Sequence, residues 1–325
     1  MTFNIIFTTN TVRHLYLFTL SLLKHTSIQY RLVANACTAD EIACLKALVG
    51  SNERLDLLIF PSNKLEDHHT VLNYLQKRET SKYFSFMDSD ILATGDFVSE
   101  LQTCLENHAA VFSGRMLFTE DICLHPDDPI IGGRFFETTD GFCIGSSYFA
   151  IYNNEALSDF IRKNNIDFSR FEWSKIPQEQ KQTLVDIGLN RHFYDTGKLL
   201  NILLNVQSGK LVHVEPDSLH HIGGLSWFAS RLSPDNKMHL QDILSGASSN
   251  NPAITKAMKS NPKRLMVAAY FIDTMNALFN GKPLPDIPSL KDERTHQRIR
   301  SVTNNLSELF REKREDMEQL LSLGT

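Results

Sequence analysis

The sequence lacks the short motifs that assign an activity at once. Its 325 residues contain no G-x-G-x-x-G, no Walker loop, no H-E-x-x-H and no G-x-S-x-G, so the usual dinucleotide, P-loop, zinc-protease and serine-hydrolase signatures are missing. Cysteine is also scarce: there are five, an odd number, and no pair has C-x-x-C spacing. This argues against a disulfide framework or a zinc ribbon, and it favours reduced thiols in a cytoplasmic protein.

Neither charge of one sign nor long apolar runs dominate the sequence. Lys and Arg number 33 against 38 Asp and Glu, a net charge of −5, so we expect no nucleic-acid partner. No apolar run approaches the roughly 20 residues that cross a bilayer, and we interpret residues 15–23 as a buried helix face rather than a signal peptide. We therefore predict a cytoplasmic protein without a transmembrane span, and leave open a peripheral contact with the inner membrane face.

Segments with strand and helix patterns alternate through the N-terminal half. Strands separated by helices predict an α/β fold with a parallel sheet covered on both faces, in which ligands bind beyond the carboxyl ends of the strands. The predicted strands are residues 4–8, 30–35, 55–60 and 83–87, and the predicted helices are residues 12–24, 39–49 and 69–80. The polar residues that follow the first three strands are therefore candidate ligand contacts: Thr8, Thr9, Asn10, Asn35 and Asn63.

The pattern changes in the second half of the chain. Residues 118–140 form a long irregular stretch, of a kind that is usually functional or mobile. Residues 246–252 read GASSNNP and predict a linker, which divides the chain into a domain of residues 1–245 and a helical C-terminal extension of residues 253–325. The apolar stripe of the last helix favours packing on the main domain, and docking of a partner, a second subunit or a membrane surface stays open.

The clearest chemical feature is the end of the fourth predicted strand, where Asp88, Ser89 and Asp90 follow an apolar run. In an extended chain residues i and i+2 point to the same side, so both carboxylates can face one point. Two carboxylates suit a hard divalent cation that keeps positions open for phosphate oxygens, and such a cation neutralises a departing diphosphate. The competing interpretation is a solvated acidic turn in which Asp90 caps a helix.

With this motif in this position, the chain resembles the GT-A glycosyltransferases, which transfer a sugar from a nucleotide sugar. Residues 91–97, Ile-Leu-Ala-Thr-Gly-Asp-Phe, also resemble the segment after the D-x-D motif in many members. The resemblance implies a Rossmann-like, mostly parallel sheet flanked by helices, and Mn²⁺ or Mg²⁺ on the diphosphate of a nucleoside-diphosphate sugar. It implies that Asp88 and Asp90 bind the metal, that Ser89 contacts the donor, and that the polar residues after the first three strands hold base and ribose.

A second set of residues resembles the inverting, spore-coat-synthase-like glycosyltransferases. It comprises residues 194–200, Tyr-Asp-Thr-Gly-Lys-Leu-Leu, and residues 220–227, His-His-Ile-Gly-Gly-Leu-Ser-Trp. In that family an aspartate of an acidic pair takes the proton of the acceptor hydroxyl, and the resemblance implies this role of general base for Asp195. Only one acid is present here, and the alternative is that Asp195 caps the helix that follows.

The same resemblance implies roles for the residues around the histidines and for a third segment. A C-terminal histidine completes the metal shell in many GT-A enzymes. His221 fits best, with His220 a close rival, and only one is expected to bind because neighbours in an extended segment point opposite ways. Gly223 would let the backbone approach the diphosphate. Gly145 and Ser146 would line the donor-sugar pocket, and an interior strand with a glycine bulge is the alternative.

Together these features predict a metal-dependent hexosyltransferase that uses inversion, with a glycan or lipid-linked acceptor, in glycan or surface-polysaccharide synthesis. A retaining mechanism stays open, because the glycogenin-like and lipopolysaccharide hexosyltransferases share the D-x-D and a late H-x-x-G motif. Outside sugar transfer, a nucleotidyltransferase would carry a glycine-rich loop after the first strand, and residues 8–13 contain no glycine. A non-catalytic nucleotide-sugar-binding module is the other alternative.

Overall fold

A seven-stranded sheet forms the centre of the protein. The computed structural model describes residues 1–114, 116–117, 136–137, 143–144, 148–208, 211–232, 238–247, 249–290 and 293–314. The strands are β1 (Thr2–Thr8), β2 (Gln29–Asn35), β3 (Leu55–Ile59), β4 (Tyr83–Asp88), β5 (Ile91–Ala93), β6 (Ala110–Phe112), β7 (Phe136–Glu137), β8 (Cys143–Ile144), β9 (Phe149–Asn153), β10 (Phe171–Glu172), β11 (Phe193–Tyr194), β12 (Leu211–His213) and β13 (Leu219–His221). The helices are α1 (Val12–His25), α2 (Ala39–Gly50), α3 (His68–Gln76), α4 (Val98–Leu105), α5 (Asn154–Asn164), α6 (Gln178–Asp186), α7 (Lys198–Ser208), α8 (Leu225–Ala229), α9 (Leu240–Leu244), α10 (Pro252–Ser260), α11 (Pro262–Phe279) and α12 (Glu293–Glu312).

The strand order of the central sheet is β12-β6-β9-β4-β1-β2-β3. Neighbouring strands are parallel except at β9, which runs antiparallel to both β4 and β6. The strands and helices predicted up to β4 are all present, within a few residues of their expected bounds. A mostly parallel sheet flanked by helices, with further helices at the C-terminal end, confirms the predicted fold class.

Alternating side chains give the sheet two buried faces. On β1, Phe3, Ile5 and Phe7 point into one hydrophobic core and Ile6 points into the other, as the two-residue period of a strand requires. The first core lies between the sheet and helices α1, α2, α4 and α8 to α12. The second core lies between the opposite face and helices α3, α5, α6 and α7.

The C-terminal helices complete the first core. Helix α11 packs against α8, α9 and α12, and both α11 and α12 contact α1. On α12, Ile299, Val302, Leu306 and Leu309 are buried in this core, so the predicted apolar stripe packs inward along the described part of the helix. The domain boundary near residues 246–252 stays a prediction. None of the described helices is long and apolar enough to cross a membrane.

Candidate metal centre

The carboxyl end of β4 brings the predicted metal ligands together. Strand β4 ends at Asp88, a turn contains Asp90, and β5 follows directly. Strand β5 pairs with β13, which places His221 opposite Ile91. The backbone N–H of Ile222 then donates to the carbonyl of Asp90 at 3.0 Å. This short antiparallel pair fixes a histidine from far along the chain beside the two carboxylates.

The three side chains converge on one point. Nε2 of His221 lies 3.2 Å from Oδ1 of Asp90 and 3.6 Å from Oδ2 of Asp88. One ligand atom from each residue lies within 4.8 Å of the other two. The second oxygen of Asp90 accepts a hydrogen bond from the backbone N–H of Leu225 at 2.9 Å. Asp90 is thus held in one orientation, with Oδ1 directed at the histidine.

The histidine presents the ring nitrogen that a metal needs. Nδ1 of His221 lies 2.9 Å from the carbonyl oxygen of Gly114, so the N–H of the neutral ring is assigned to Nδ1 and the lone pair to Nε2. The ring also packs against Tyr148, with a centroid separation of 4.4 Å. A backbone partner on the far nitrogen is the usual way in which a metal-binding histidine is oriented.

The donor atoms of the cluster fit a bound divalent cation. Among the described residues, Oγ of Ser89 is buried without a hydrogen-bond partner, and the buried Oδ1 of Asp90 and Nε2 of His221 face each other at 3.2 Å with no other partner within that distance. Buried polar atoms without partners are rare because each costs free energy to desolvate. A cation between Asp90 and His221 would satisfy two of these atoms, and two carboxylates with one imidazole form a donor set that can hold a divalent metal ion.

In the absence of a cation, the charges of the cluster shift the pKa of His221 and of Asp90. Burial lowers the pKa of His221, but the charge of Asp90 and the nearby Asp88 outweigh burial and raise that pKa to about 10. Burial would raise the pKa of Asp90, but His221, the backbone N–H of Leu225 and the charge of Arg264 together outweigh burial and hold this pKa below its usual range. The cluster therefore carries an ionised carboxylate at neutral pH, and a metal must compete with a proton on the ring.

His220 lies on the other side of β13. Its Nε2 is 3.3 Å from Oγ1 of Thr94. Burial and the charge of Arg298 lower the pKa of His220 to about 4. The alternation of an extended segment therefore directs His221, and not His220, towards the carboxylates.

Asp195 lies between β11 and α7, whose buried side chains belong to the second core. Its Oδ1 accepts hydrogen bonds from Nε of Arg170 at 3.1 Å and from the backbone N–H of Thr196 at 2.8 Å. Arg170 also contacts Oδ2 of Asp67 at 3.4 Å. The side chain of Asp195 remains 34% exposed, and no described residue hydrogen-bonds its Oδ2.

His68 is a partly buried histidine that the sequence analysis did not single out. His68 begins α3, and its ring stands edge-on to Phe86 at a centroid distance of 6.0 Å. Burial lowers the pKa of His68, and the charges of Asp88 and then Asp195 oppose that shift. The charges of a proposed metal ligand and of the predicted base therefore both act on this imidazole. Strand β4 directs Phe86 and Asp88 to the same side. This alternation was the sequence signal that a residue packed on Phe86, such as His68, would lie on the side of Asp88.

The predicted nucleotide contacts lie at the carboxyl ends of β1, β2 and β3. Thr8 ends β1 and Thr9 follows it. Asn10 adopts a positive φ of 62° and donates from its side chain to the carbonyl of Leu232 at 2.7 Å. The amide of Asn35 bonds both backbone groups of Glu66, at 2.9 and 3.1 Å, and so ties β2 to the loop before α3.

The remaining predicted contacts are Asn63, Gly223, Gly145 and Ser146. Asn63 is exposed in the loop after β3. Gly223 has a φ of +79°, and a Cβ there would lie 2.4 Å from Cγ of Met116, so only glycine fits at this turn. Gly145 and Ser146 lie outside the described residues. The roles of all these residues stay predictions.

A basic group from the C-terminal helices completes the surroundings of the cluster, and no sequence motif pointed to it. Arg264, in the first turn of α11, is acted on by the charges of Asp90 and Asp88. Its guanidinium carbon lies 5.4 Å from the ring centroid of Trp227, and that of Arg231 lies 4.2 Å from the same ring. Two arginines therefore flank one indole beside the proposed metal ligands.

Comparison with known proteins finds similarity only among solved structures. No protein-family model and no curated protein matches the sequence. The chain is similar to the glycosyltransferase GlyE of Streptococcus pneumoniae TIGR4, with 12% identity, coverage of 88% of this chain and 65% of GlyE, and a TM-score of 0.39. It is similar to the mannosyltransferase PcManGT of Pyrobaculum calidifontis in complex with GDP-Man and Mn²⁺, with 13% identity, coverage of 99% and 85%, and a TM-score of 0.43.

A third similar structure is the galactosyltransferase LgtC in complex with donor and acceptor sugar analogs. It has 14% identity, coverage of 71% of this chain and 93% of LgtC, and a TM-score of 0.38. All three structures are glycosyltransferases by name, the class that the sequence motifs implied. Because the three TM-scores are below 0.5, we base the functional proposal on the geometry of the site.

Proposed function

We propose that this protein is a metal-dependent glycosyltransferase of GT-A type, which moves a sugar from a nucleoside-diphosphate sugar to an acceptor hydroxyl. The observation that carries the proposal is the cluster of Asp88, Asp90 and His221, whose ligand atoms all lie within 4.8 Å of one another. The cluster lies at the carboxyl end of a mostly parallel sheet, the edge at which such sheets bind ligands. Mn²⁺ or Mg²⁺ held there would supply positive charge for the departing diphosphate.

Asp195 is the proposed general base of an inverting single displacement. Arg170 and the backbone of Thr196 hold its Oδ1, which leaves Oδ2 to take the proton of the acceptor hydroxyl. As that proton moves to Asp195, the acceptor oxygen bonds to the anomeric carbon and the bond from this carbon to the diphosphate breaks. The open rim around Asp195 suits an acceptor that enters from solvent.

The substrates follow from the same arrangement. Thr8, Thr9, Asn10, Asn35 and Asn63 are the proposed base and ribose contacts, because they follow the strands that precede β4 in the chain. Ser89, Gly145, Ser146 and Gly223 are proposed around the diphosphate and the donor sugar. A hexose as the transferred sugar, a glycan or lipid-linked acceptor, a role in polysaccharide synthesis and a cytoplasmic site of action stay predictions.

The first experiment is a calorimetric titration with UDP, GDP, CDP and dTDP, each with and without Mn²⁺. We expect one diphosphate to bind tightly only with the metal, and the variants Asp88→Asn and Asp90→Asn to lose this binding. Asp56→Asn is the matched control, because this carboxylate is 61% exposed and pairs with Arg31 away from the site. Binding that ignores both the metal and the two substitutions would rule out the proposed donor site.

The anomeric configuration of the product then tests the mechanism. Once the donor is known, NMR of the first-formed product reports whether the configuration at the transferred carbon is inverted. Retention would exclude Asp195 as the base of a single displacement and favour the retaining alternative. Diphosphate binding without any turnover, over a broad panel of acceptors and water, would favour the non-catalytic binding module.

A further inference from the structure

Arg264 belongs to the C-terminal helices but faces the proposed metal centre. It lies in the first turn of α11, where the side chain of Asn261 accepts a hydrogen bond from its backbone N–H at 3.3 Å. Its guanidinium packs over Trp227 at 5.4 Å. The opposite charges that act on it are Asp90 and Asp88. The start of α11 therefore carries a cation to the edge of the sheet.

The second glycine of the Gly-Gly pair makes room for this arginine. A Cβ on Gly224 would lie 2.3 Å from Nε of Arg264 and 3.1 Å from its Cζ, and Gly224 has a φ of +93°. The next residue, Leu225, donates its backbone N–H to Asp90 at 2.9 Å. Gly224 thus contacts the guanidinium, and the backbone N–H of the next residue orients Asp90. A side chain at this position would displace Arg264.

The charges of Asp90 and Asp88 act on the guanidinium of Arg264, but neither carboxylate forms an ion pair with it. Among the described residues no carboxylate forms an ion pair with Arg264, and its buried Nε has no hydrogen-bond partner. A second guanidinium, that of Arg231, stacks on the same indole at 4.2 Å. A buried donor without a partner is unfavourable, and an anionic ligand beside Arg264 would lower this cost.

We propose that Arg264 binds the diphosphate of the donor beside the metal, so that helix α11 forms part of the donor site. This inference rests on the proposed function and assigns a residue to it. A guanidinium offers N–H groups in a planar fork that matches phosphate oxygens. In this position it contacts the leaving group and takes up negative charge as the bond to the sugar breaks.

The position of Arg264 predicts effects of opposite sign on two ligands. Its charge repels a cation that approaches Asp90 and Asp88, so Arg264→Gln should bind Mg²⁺ alone a few-fold more tightly than the wild type. The same substitution removes charged hydrogen bonds to the diphosphate. Inorganic pyrophosphate, measured at saturating Mg²⁺, should therefore bind roughly 10- to 100-fold more weakly. Loss of an arginine that only stabilises the fold would not strengthen Mg²⁺ binding while it weakens pyrophosphate binding.

The experiment titrates the full chain with Mg²⁺ and then with inorganic pyrophosphate at saturating Mg²⁺. Arg264→Lys keeps the charge without the fork, so its Mg²⁺ affinity should stay at the wild-type level while pyrophosphate affinity falls partway. Gly224→Ala should weaken pyrophosphate binding like Arg264→Gln, because it displaces the guanidinium. Arg300→Gln, an exposed arginine of α12, is the matched control and should match the wild type with both ligands.

The possible outcomes distinguish a failure of the Arg264 assignment from a failure of the proposed function on which it rests. If the wild type binds Mg²⁺ and pyrophosphate but Arg264→Gln binds both as the wild type does, the assignment of Arg264 is overturned and the metal site stands. The assignment is also overturned if both ligands weaken together with a lower thermal midpoint, since that indicates a structural role. If the wild type binds no pyrophosphate with Mg²⁺ present, the proposed function itself fails.

Discussion

The two sides of the proposed active site are built in opposite ways. On the metal side the side chains of Asp90 and His221 are 0% and 2% exposed, and each is fixed by a backbone hydrogen bond. On the side of the base, the side chains of Asp195 and Arg170 are 34% and 42% exposed. The metal side adjoins the core beneath the C-terminal helices, and the base side adjoins the core beneath α3 and α7.

This difference separates a preformed site from an adjustable one. Buried charges are tolerated only with fixed partners, so Asp90 and His221 must be in place before a substrate arrives, whereas Asp88 is 29% exposed. An exposed ion pair is worth little free energy, so Asp195 and Arg170 can rearrange when an acceptor enters. Substitutions on the metal side should therefore alter stability and ligand binding together, whereas substitutions on the base side should alter turnover alone.

The largest expected effect is on turnover by Asp195→Asn. Loss of a general base should lower kcat by about 10²- to 10⁴-fold, while the free energy of unfolding changes by less than about 1 kcal/mol. Initial rates and urea unfolding of the same preparations give both quantities. Asp67→Asn is the control, because Asp67 contacts the same arginine without a proposed role in proton transfer. Equal losses of kcat in the two variants would show that Asp195 is not the base.

The next effect is on stability by Asp90→Ala. This change leaves His221 buried beside a lost partner and removes the acceptor of the Leu225 N–H, so we expect a loss of about 3–5 kcal/mol in metal-free protein. Asp195→Ala should cost no more than about 1 kcal/mol. Urea unfolding after chelation compares the two variants directly. Similar losses in both would contradict the division into a buried and an open side.

The metal side illustrates which parts of a site can be predicted from sequence. An apolar strand that runs into Asp88 and Asp90 is a local pattern, so both the strand and the acidic turn could be identified. His221 was implied by a family resemblance, because its position depends on the pairing of β5 with β13 across a long stretch of chain. The sequence offers no local signal for that pairing, although alternation in β13 does separate His221 from His220.

Arg264, which the sequence analysis missed, owes its position to helix packing. Arg264 reaches the site only because α11 packs on α8, and a contact between distant helices leaves no periodic pattern in either. Its one sequence signal is Gly224, since consecutive glycines indicate that something approaches the backbone closely. The contact of Asn35 with the nucleotide stays a prediction, and packing adds a second role, because its amide bonds the backbone of Glu66.

A smaller effect concerns the pH dependence of metal binding. The carboxylates raise the pKa of His221 to about 10, whereas a metal needs the neutral ring. Between about pH 6.5 and 10 each bound cation should release about one proton, so the affinity for Mg²⁺ should rise about tenfold per pH unit. Asp90 does not add to this pH dependence of metal affinity, because its lowered pKa keeps the carboxylate ionised throughout this pH range.

Titrations with Mg²⁺ at pH 7, 8 and 9 measure this slope. His221→Gln should bind more weakly and lose the slope, and a His221→Gln variant that binds Mg²⁺ as tightly as the wild type would exclude the ring as a ligand. The same linkage acts on metal-free protein. The folded state holds this proton more tightly than the unfolded chain, so stability should fall as the pH rises from about 6.5 through 10.

The smallest expected effect is that of Arg170→Gln on the open side. Arg170 bridges Asp195 and Asp67 at 3.1 and 3.4 Å, and such an exposed network contributes about 1 kcal/mol or less to stability. If Arg170 only positions Asp195, kcat should fall a few-fold while the KM for the donor stays constant. Arg162→Gln, which breaks a surface pair with Asp159, is the control. A rise in the donor KM would instead place Arg170 in the donor site and would remove the separation between the two sides.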